Sequence, residues 1–257
     1  MDRLTDSSGV SPRGPLLSVL NYFEPLFRRW QRRVPIADDD RRALIALPWV
    51  RREFGREAYI AREGEPTRIC TVLLHGLAFR QKLVSDGARQ IISFHIAGEF
   101  LDIQNCMLET ADHNVQALSR CNIAVVPKEA LVQLMNDRPA IRRAIWLDSL
   151  IDSSVFREWV VNVGRRDAKS RIAHLLCELA ERLKASGVTD GSIYDFPLTQ
   201  EQIADATGLT AVHTNRTLQA LRKQGLINLS HSQLNILDWG ALAEVGDFSE
   251  RYLHHSV

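Results

Sequence analysis

The chain has 257 residues, of which 45% are hydrophobic and 25% are charged, and its formal net charge at pH 7 is +1. These proportions are typical of a globular protein, and the length suits two domains better than one. The near-zero net charge excludes nucleic-acid binding through overall charge, so any basic surface must be local. No apolar run reaches the ~18–20 residues that span a bilayer, and the polar N-terminus lacks the apolar stretch of a signal peptide. The sequence therefore predicts a cytoplasmic protein without a membrane partner.

The first 49 residues are predicted to hold a flexible leader and two helices. The leader covers residues 1–15, and the first helix covers residues 16–30, where apolar residues recur at helical spacing. Pro25 is expected to kink or end this helix. The second helix begins at the acidic run that starts with Asp38, because carboxylates favour a helix N-terminus, and stops at Pro48.

Between about residues 50 and 126, short apolar or alternating runs are separated by turns rich in Gly, Asp and Pro. Strands spaced in this way are typical of a β-sandwich or barrel. Asp86 and Gly87 give the clearest hairpin signal, because both residues tolerate positive φ. A β-rich sensor domain is therefore predicted over residues 50–135. Its predicted strands cover residues 58–61, 69–74, 78–83, 91–96, 115–118 and 123–126.

The pattern becomes helical after Pro127, with a short helix over residues 128–135 and then a long one that Pro139 opens. The apolar stripe of the long helix exceeds that of a lone surface helix, which predicts a dimerisation helix over residues 136–164. The alternative is a helix buried on its own β domain, and both can hold on different faces. The predicted dimerisation residues are Ile141, Ile145, Leu147, Leu150, Ile151, Val155 and Trp159.

The strongest local signal is a pair of short helices joined by a tight turn within residues 198–218. Thr199 and Gln202 have the spacing of a capping box, Gly208 stands where the turn needs positive φ, and Thr210 can cap the second helix. Asp167 caps a preceding helix over residues 168–185, and two apolar runs after residue 225 predict a hairpin wing. A winged helix-turn-helix is therefore predicted over residues 165–238, followed by a helical tail over residues 239–257.

The outer face of the second helix carries side chains that can hydrogen-bond base edges or contact a thymine methyl group. Arg216 can pair with guanine, and Asn215 or Gln219 can pair with adenine. Helix N-termini and basic residues at the distal end are expected to contact phosphates. The predicted DNA-binding residues are Thr199, Gln200, Thr210, Ala211, Val212, His213, Asn215, Arg216, Gln219, Arg222 and Lys223. Thr214 and Thr217 stand where larger aliphatic residues are usual in such motifs.

This order of elements, over about residues 50–238, resembles the Crp/Fnr family of bacterial transcriptional regulators. The segment Val212-His213-Thr214-Asn215-Arg216 resembles a subgroup common in alphaproteobacteria. The resemblance implies an α+β fold: a cyclic-nucleotide-binding-like β-roll, a long dimerisation helix and a C-terminal winged helix-turn-helix. It also implies a homodimer on a palindromic operator, with half-sites about one DNA turn apart, and action on RNA polymerase.

The same resemblance indicates where a ligand would bind and why a cyclic nucleotide is not expected. Members that bind cyclic nucleotides place a Gly-Glu pair and an Arg-Ser pair around the phosphate, whereas the corresponding slots here hold Asp102-Ile103 and His113-Asn114. A phosphate without its arginine would be poorly bound. The degenerate cassette consists of Gly98, Glu99, Asp102, His113 and Asn114. The family's Arg-Glu pair at the start of the recognition helix is likewise replaced, by Ala211-Val212.

The sequence predicts no catalytic residue, no metal site and no cofactor. The four cysteines, at positions 70, 106, 121 and 177, are predicted to be buried thiols, with a redox-sensitive Cys106 as the alternative. Haem ligation by His75, His95 or His113 is a further alternative. No G-x-S-x-G, H-E-x-x-H or P-loop motif occurs. A sequence-specific DNA-binding regulator is therefore predicted, with an enzyme and a protein-binding scaffold as the competing classes.

Overall fold

The computed structural model describes residues 16–187, 193–230 and 232–255. The predicted leader and His231 of the predicted wing turn lie outside these residues. The described chain contains an N-terminal helical pair, a β-roll, a long helix and a C-terminal helix-turn-helix domain, which confirms the predicted fold class. The helices are α1 Leu16–Gln31, α2 Asp38–Ile45, α3 Lys128–Asp137, α4 Pro139–Arg165, α5 Ala168–Ser186, α6 Gln200–Thr207, α7 Ala211–Lys223 and α8 Trp239–Val245. The strands are β1 Val50–Phe54, β2 Tyr59–Ala61, β3 Ile69–His75, β4 Ala78–Leu83, β5 Arg89–His95, β6 Asn114–Ala117, β7 Cys121–Pro127, β8 Ile193–Asp195, β9 Ile227–Ser230 and β10 Gln233–Ile236.

The β-roll consists of two antiparallel sheets, with strand orders β1-β7-β3 and β2-β6-β4-β5. The predicted hairpin joins β4 to β5: Gly87 has a φ of +85°, and the Ala88 N–H donates to the Asp86 carboxylate at 2.9 Å. A short 3-10 helix over Ile103–Cys106 lies between β5 and β6 in the chain and packs on β3. The strand β1 was not among the predicted runs, because it is an edge strand whose centre is Arg-Arg-Glu.

The helix α1 packs across the β-roll and α4. It runs through Pro25 to Gln31, so the expectation that Pro25 ends the helix is wrong. Packing accounts for the difference, because Phe23, Phe27 and Trp30 of α1 are all buried. The backbone of α1 also comes so close to Gly98 that a Cβ there would lie 2.6 Å from the Pro25 carbonyl carbon.

Two side chains of the N-terminal region tie it to distant parts of the chain. The Trp30 indole N–H donates to Asp148 on α4 at 2.8 Å. Arg33 donates to the backbone carbonyl oxygens of Leu253 at 3.1 Å and of His254 at 2.7 Å. These contacts join the N-terminal helices to α4 and to the last described segment of the chain.

The helix α4 extends past Gly164 and presents two different faces. Most of the predicted dimerisation residues face their own chain, because the longest apolar stripe of α4 packs on the β-roll, α1 and α5. Leu147 is half-buried, and Leu150 is the member of that set that is exposed. The members buried within their own chain are Ile141, Ile145, Ile151, Val155 and Trp159.

The C-terminal domain is built on α5, which Asp167 caps and which ends at Gly187 with a φ of +72°. Its helices surround a small antiparallel sheet in the order β8-β10-β9. The predicted wing is therefore present, and the unpredicted β8 adds a third strand to it through the pair Leu234–Tyr194. The tail packs on α5 through α8, and His174 lies 3.0 Å from the Gly246 carbonyl oxygen. None of the described helices is long and apolar enough to cross a membrane.

Candidate nucleic-acid interface

Local hydrogen bonds fix the geometry of the helix-turn-helix. The Thr199 hydroxyl accepts from the Gln202 N–H at 3.1 Å, and the Gln202 side chain accepts from the Thr199 N–H at 2.9 Å, which completes the predicted capping box. Gly208 has a φ of +65°, as the tight turn requires, and the Thr210 hydroxyl accepts from the His213 N–H at 3.2 Å. Each predicted local feature of the turn is therefore present.

The inner face of α7 packs on the rest of the domain. Leu218 and Leu221 are buried, and so are the two threonines that replace larger aliphatic residues. The Thr217 hydroxyl donates to the His213 carbonyl oxygen at 2.9 Å, whereas the Thr214 hydroxyl has no hydrogen-bond partner among the described residues. Thr214 therefore fits the space available, but its buried hydroxyl without a partner lowers the free energy of unfolding.

The outer face of α7 is exposed. Arg222 is half-buried, and its Nε is enclosed without a partner in the described chain. Every other residue of the predicted DNA-binding set is exposed, and Val212 shows 75% of its surface. Within the described chain, neither Arg216 nor Lys223 forms an ion pair. The face therefore presents hydrogen-bonding groups that face solvent, beside small apolar groups, as base-edge recognition requires.

The N-terminus of α5 adds residues that sequence reasoning missed. Asp167 and Lys169 line the same shallow depression as His213 and Arg216. The Asp167 carboxylate caps this helix end and accepts from the Ser170 N–H at 2.9 Å, so the group here that suits a DNA phosphate is the cation nearby, Lys169. The signal in the sequence was the predicted N-cap at Asp167, but nothing local placed that cap beside α7.

The helix-turn-helix is held against the β-roll of its own chain. The Arg89 Nε donates to the Asp205 carboxylate at 2.6 Å, and the Gln90 side-chain amide donates to the Asp205 carbonyl oxygen at 2.6 Å. A third contact joins Arg56 to the Pro197 carbonyl oxygen at 3.0 Å. The start of β5 and the end of α6 are therefore coupled directly.

Side chains of the degenerate cassette bind other residues of the same chain. Glu99 is buried, and it accepts from Arg182 at 2.9 Å, from Arg29 at 3.1 Å and from His95 at 3.1 Å. Burial raises the pKa of Glu99, but Arg182 and Arg29 lower it more, so its pKa lies well below the usual value. We call these four residues the Glu99 cluster. It joins the β-roll to α1 and α5 and was not predicted.

The other cassette residues also have partners within the chain. Asp102 accepts from the Thr71 N–H at 2.6 Å and from the Thr71 hydroxyl at 2.9 Å, and burial raises its pKa to about 6. The Asn114 side chain accepts from the Glu63 N–H at 3.1 Å. Both side chains therefore have hydrogen-bond partners within the chain. Gly98 lies where the backbone of α1 comes close.

The nearby cationic and imidazole groups are engaged in the same way. Buried Arg80 pairs with Asp152 at 2.6 Å, so its charge is already balanced. The ring nitrogens of His95 lie 2.9 Å from Ser93 and 3.1 Å from Glu99, which leaves no free nitrogen for haem in this arrangement. Of the other two candidate haem ligands, His113 is buried and contacts its neighbour in sequence, Asp112, and His75 is exposed.

Comparison with known families agrees with this architecture. A model of the Crp-like helix-turn-helix domain matches residues 170–245, and a model of the cyclic nucleotide-binding domain matches residues 51–138. These two ranges contain the helix-turn-helix and the β-roll described above. The match to the second model identifies the domain type.

Individual proteins show the same likeness. The nitrogen fixation regulation protein FixK of Bradyrhizobium diazoefficiens is 31% identical over 169 residues, which cover 65% of this chain and 69% of FixK. The transcriptional activator protein FnrL of Cereibacter sphaeroides is 26% identical over 73% of this chain and 77% of its own. The structure of FixK2 from Bradyrhizobium japonicum superposes with a TM-score of 0.72 at 22% identity, over 79% of this chain and all of that one. With its helix-turn-helix domain, β-roll and long connecting helix, the chain belongs to the Crp/Fnr family of transcriptional regulators.

Proposed function

We propose that the chain works as a homodimeric transcriptional activator that binds a palindromic DNA site and acts on RNA polymerase. The observation that carries this proposal is the outer face of α7, where Asn215, Arg216 and Gln219 are exposed beside His213. If such groups were buried in a protein interior, they would need hydrogen-bond partners. Here their partners are the base edges of a major groove, and Lys169 beside them contacts a flanking phosphate.

The exposed face of α4 supports the dimer. Trp146, Leu150 and Val160 are 66%, 50% and 69% exposed, and Val161 lies beside the last of them. Their spacing puts them along one side of the helix. Large apolar side chains exposed in a row usually mark an interaction site, and a two-fold axis would let this stripe cover itself. This set replaces most of the dimerisation residues that the sequence predicted.

The occupied cassette supports activity without cyclic AMP. Glu99 and Asp102 already have partners, and Arg80, a buried cation of this region, is paired with Asp152. A cyclic phosphate would have to displace one of these contacts before it gained a cation. We assign DNA reading to residues 165–238, the dimer contact to residues 136–164 and a non-nucleotide role to the β-roll over residues 50–135. Such a regulator would work in the cytoplasm.

Selection from a random duplex library, with purified protein and no added ligand, tests the DNA-binding part. We expect an enriched palindrome whose half-sites lie about one DNA turn apart. Binding to the selected site should weaken steeply with salt, because phosphate contacts release counterions. A protein-binding scaffold would enrich no sequence and show no such dependence. Enrichment only in the presence of cyclic AMP would contradict the ligand-independent assignment.

Transcription with purified RNA polymerase tests the activating part. The relatives named as activators, FnrL among them, motivate this step. A template that carries the selected palindrome upstream of a weak promoter should give more transcript when the protein is added. The matched template has a scrambled half-site and should not respond. Reduced transcription from the first template would show a repressor at that position and contradict the proposed activation.

A further inference from the structure

Two buried thiols lie in contact inside the β-roll. The Sγ atoms of Cys70 and Cys106 are 3.4 Å apart, although 36 residues separate them in the chain. Cys70 belongs to β3, and Cys106 is the last residue of the 3-10 helix. Both lie in the apolar cluster beneath α3 and α4. Nothing in the proposed DNA-binding function uses this pair.

The backbone around the pair is already held together. Asp102, just before the 3-10 helix, accepts two hydrogen bonds from Thr71, the neighbour of Cys70. A disulfide needs an S–S distance of about 2.05 Å, so the sulfur atoms would have to approach by roughly 1.4 Å. The backbone next to Cys106 can shift, because Met107, the following residue, is 72% exposed. The two segments are thus held side by side, with their sulfur atoms in contact.

We propose that Cys70 and Cys106 form a reversible intramolecular disulfide when the folded protein meets hydrogen peroxide. The inference rests on the contact between the two sulfur atoms and not on DNA binding. It assigns a modification site to the β-roll, and it is a cysteine-pair alternative to the single redox-sensitive Cys106 that the sequence left open.

The reaction balances with peroxide as the oxidant. The Cys106 thiolate attacks one peroxide oxygen, the O–O bond breaks, and a sulfenic acid and hydroxide form; the hydroxide takes up the thiol proton to give water. The Cys70 sulfur then attacks the sulfenic sulfur, the S–O bond breaks, and the second water leaves with the Cys70 proton. Two thiols and one peroxide therefore give one disulfide and two waters. Another thiol, such as dithiothreitol, reverses the oxidation by exchange.

The environment assigns different roles to the two sulfur atoms. The hydrogen bond from Cys70 lowers the pKa of Cys106, and Lys128 acts in the same direction. The same hydrogen bond and burial raise the pKa of Cys70. Since the thiolate is the nucleophile, Cys106 is the residue that peroxide oxidises first and Cys70 is the residue that resolves it.

The other two cysteines provide internal references. The Cys121 thiol donates to the Leu77 carbonyl oxygen at 3.1 Å, and Cys177 is fully buried in the C-terminal domain. Burial raises the pKa of Cys177 to about 12. Within the described residues neither thiol contacts another sulfur, so both should stay reduced while the pair is oxidised.

Peptide mapping tests the proposal, because trypsin places each cysteine in a separate peptide. Cys70 falls in residues 69–80, Cys106 in 90–120, Cys121 in 121–128 and Cys177 in 172–182. Folded protein is treated with hydrogen peroxide, alkylated, digested without reductant and analysed by mass spectrometry. We expect a cross-link between the first two peptides that dithiothreitol removes, while the last two peptides carry the alkyl group.

Variants and a denatured sample make the test decisive. Cys70→Ser should abolish the cross-link and let Cys106 proceed to sulfinic acid, whereas Cys121→Ser, also in the β-roll, should leave the cross-link intact. In urea all four thiols should react without preference, which shows that the pairing depends on the fold. Folded protein that gives oxidised Cys106 but no cross-link, or that cross-links two chains instead, would overturn the proposal.

Discussion

The outer face of α7 and the Glu99 cluster use the same kinds of side chain in opposite ways. On α7, Arg216 is exposed and has no ion-pair partner in the described chain. In the Glu99 cluster, Arg29 and Arg182 are largely withdrawn from water, and both pair with one carboxylate. Residue type alone therefore does not identify a binding site. The two regions differ in whether their polar side chains have hydrogen-bond or ion-pair partners within the chain.

This difference separates two kinds of effect that a substitution can have. The Glu99 cluster joins three parts of the fold, so changes there should alter the free energy of unfolding. The outer face of α7 is exposed, so changes there should alter DNA affinity and leave stability unchanged. The following variants test whether the two regions are independent in this sense.

The largest effect on stability is expected from Glu99→Gln. This change removes the carboxylate that Arg182 and Arg29 share, and each arginine keeps one other partner, Glu178 and Asp148 respectively. Hydrogen bonds to charged groups contribute about 1.5–3 kcal/mol each, so weakening two of them should lower the free energy of unfolding by about 3 kcal/mol. Urea denaturation measures it. Glu53→Gln is the matched control, since Glu53 pairs with the exposed Arg120 in solvent, and it should leave the free energy of unfolding nearly unchanged. Equal effects of the two variants would contradict the role of the cluster.

The pH dependence of stability should change in His95→Gln. Burial and the Arg80 charge lower the pKa of His95 to about 4, below the usual 6.5, while Glu99 and Asp152 oppose them. The unfolded state then binds the extra proton first, so the stabilisation is present above pH 6.5 and is lost as pH falls towards 4. The shift corresponds to about 3 kcal/mol across this window.

The His95→Gln variant should lack that loss. Its free energy of unfolding, followed by urea denaturation from pH 7 to pH 4, should fall less than that of the unmodified protein. The comparison must be between the two proteins, because Asp102 contributes with the opposite sign: burial raises its pKa to about 6, so its contribution declines as pH rises. Parallel pH profiles for the two proteins would refute the assignment to His95.

Leu150→Asp should dissociate the dimer without unfolding the chain. Leu150 is half-exposed in one chain, and a charge there would be buried without a partner only when a second chain covers it. We expect dimerisation to weaken by about 2 kcal/mol or more, as for other central interface residues. Sedimentation measures this. Val84→Asp, at an exposed position in the hairpin between β4 and β5, should remain dimeric, and a dimeric Leu150→Asp would exclude this face.

Arg216→Ala should weaken binding to the selected DNA site by about 1–3 kcal/mol, because one base contact is lost. The melting temperature should stay the same, since Arg216 has no ion pair in the described chain. Fluorescence anisotropy with labelled DNA measures the affinity. Arg52→Ala on β1 removes the same charge from another exposed surface and should bind normally. A loss of equal size in both variants would show a non-specific charge effect.

Local signals made much of the fold predictable. The capping box at Thr199, the left-handed turn at Gly208 and the hairpin at Asp86 each depend on a few adjacent residues, and each appears in the structure. The outer face of α7 was accessible for the same reason, because the period of the helix assigns each of its side chains to one side.

Long-range contacts account for what could not be predicted. Arg182 and Glu99 are 83 residues apart, and neither position carries a pattern that indicates the other. Most of the predicted dimerisation residues are buried in their own chain, and the sequence could not show this because an apolar stripe does not reveal what covers it. On α4 the most continuous stripe faces the chain's own core, and the exposed stripe that includes Trp146 is interrupted by polar residues.

The contacts that hold α1 have a consequence for the order in which the chain assembles. Trp30 meets a partner 118 residues later, and Arg33 meets carbonyl oxygens 220 and 221 residues later. Closing such long loops is entropically costly, and during synthesis on the ribosome the last of these partners emerges long after α1. Phe23 and Phe27 meet Trp49 and Arg41 early in synthesis, whereas Trp30 and Arg33 stay without these distant partners while most of the chain is made. We expect the C-terminal end of α1 to reach its final contacts only when synthesis is nearly complete.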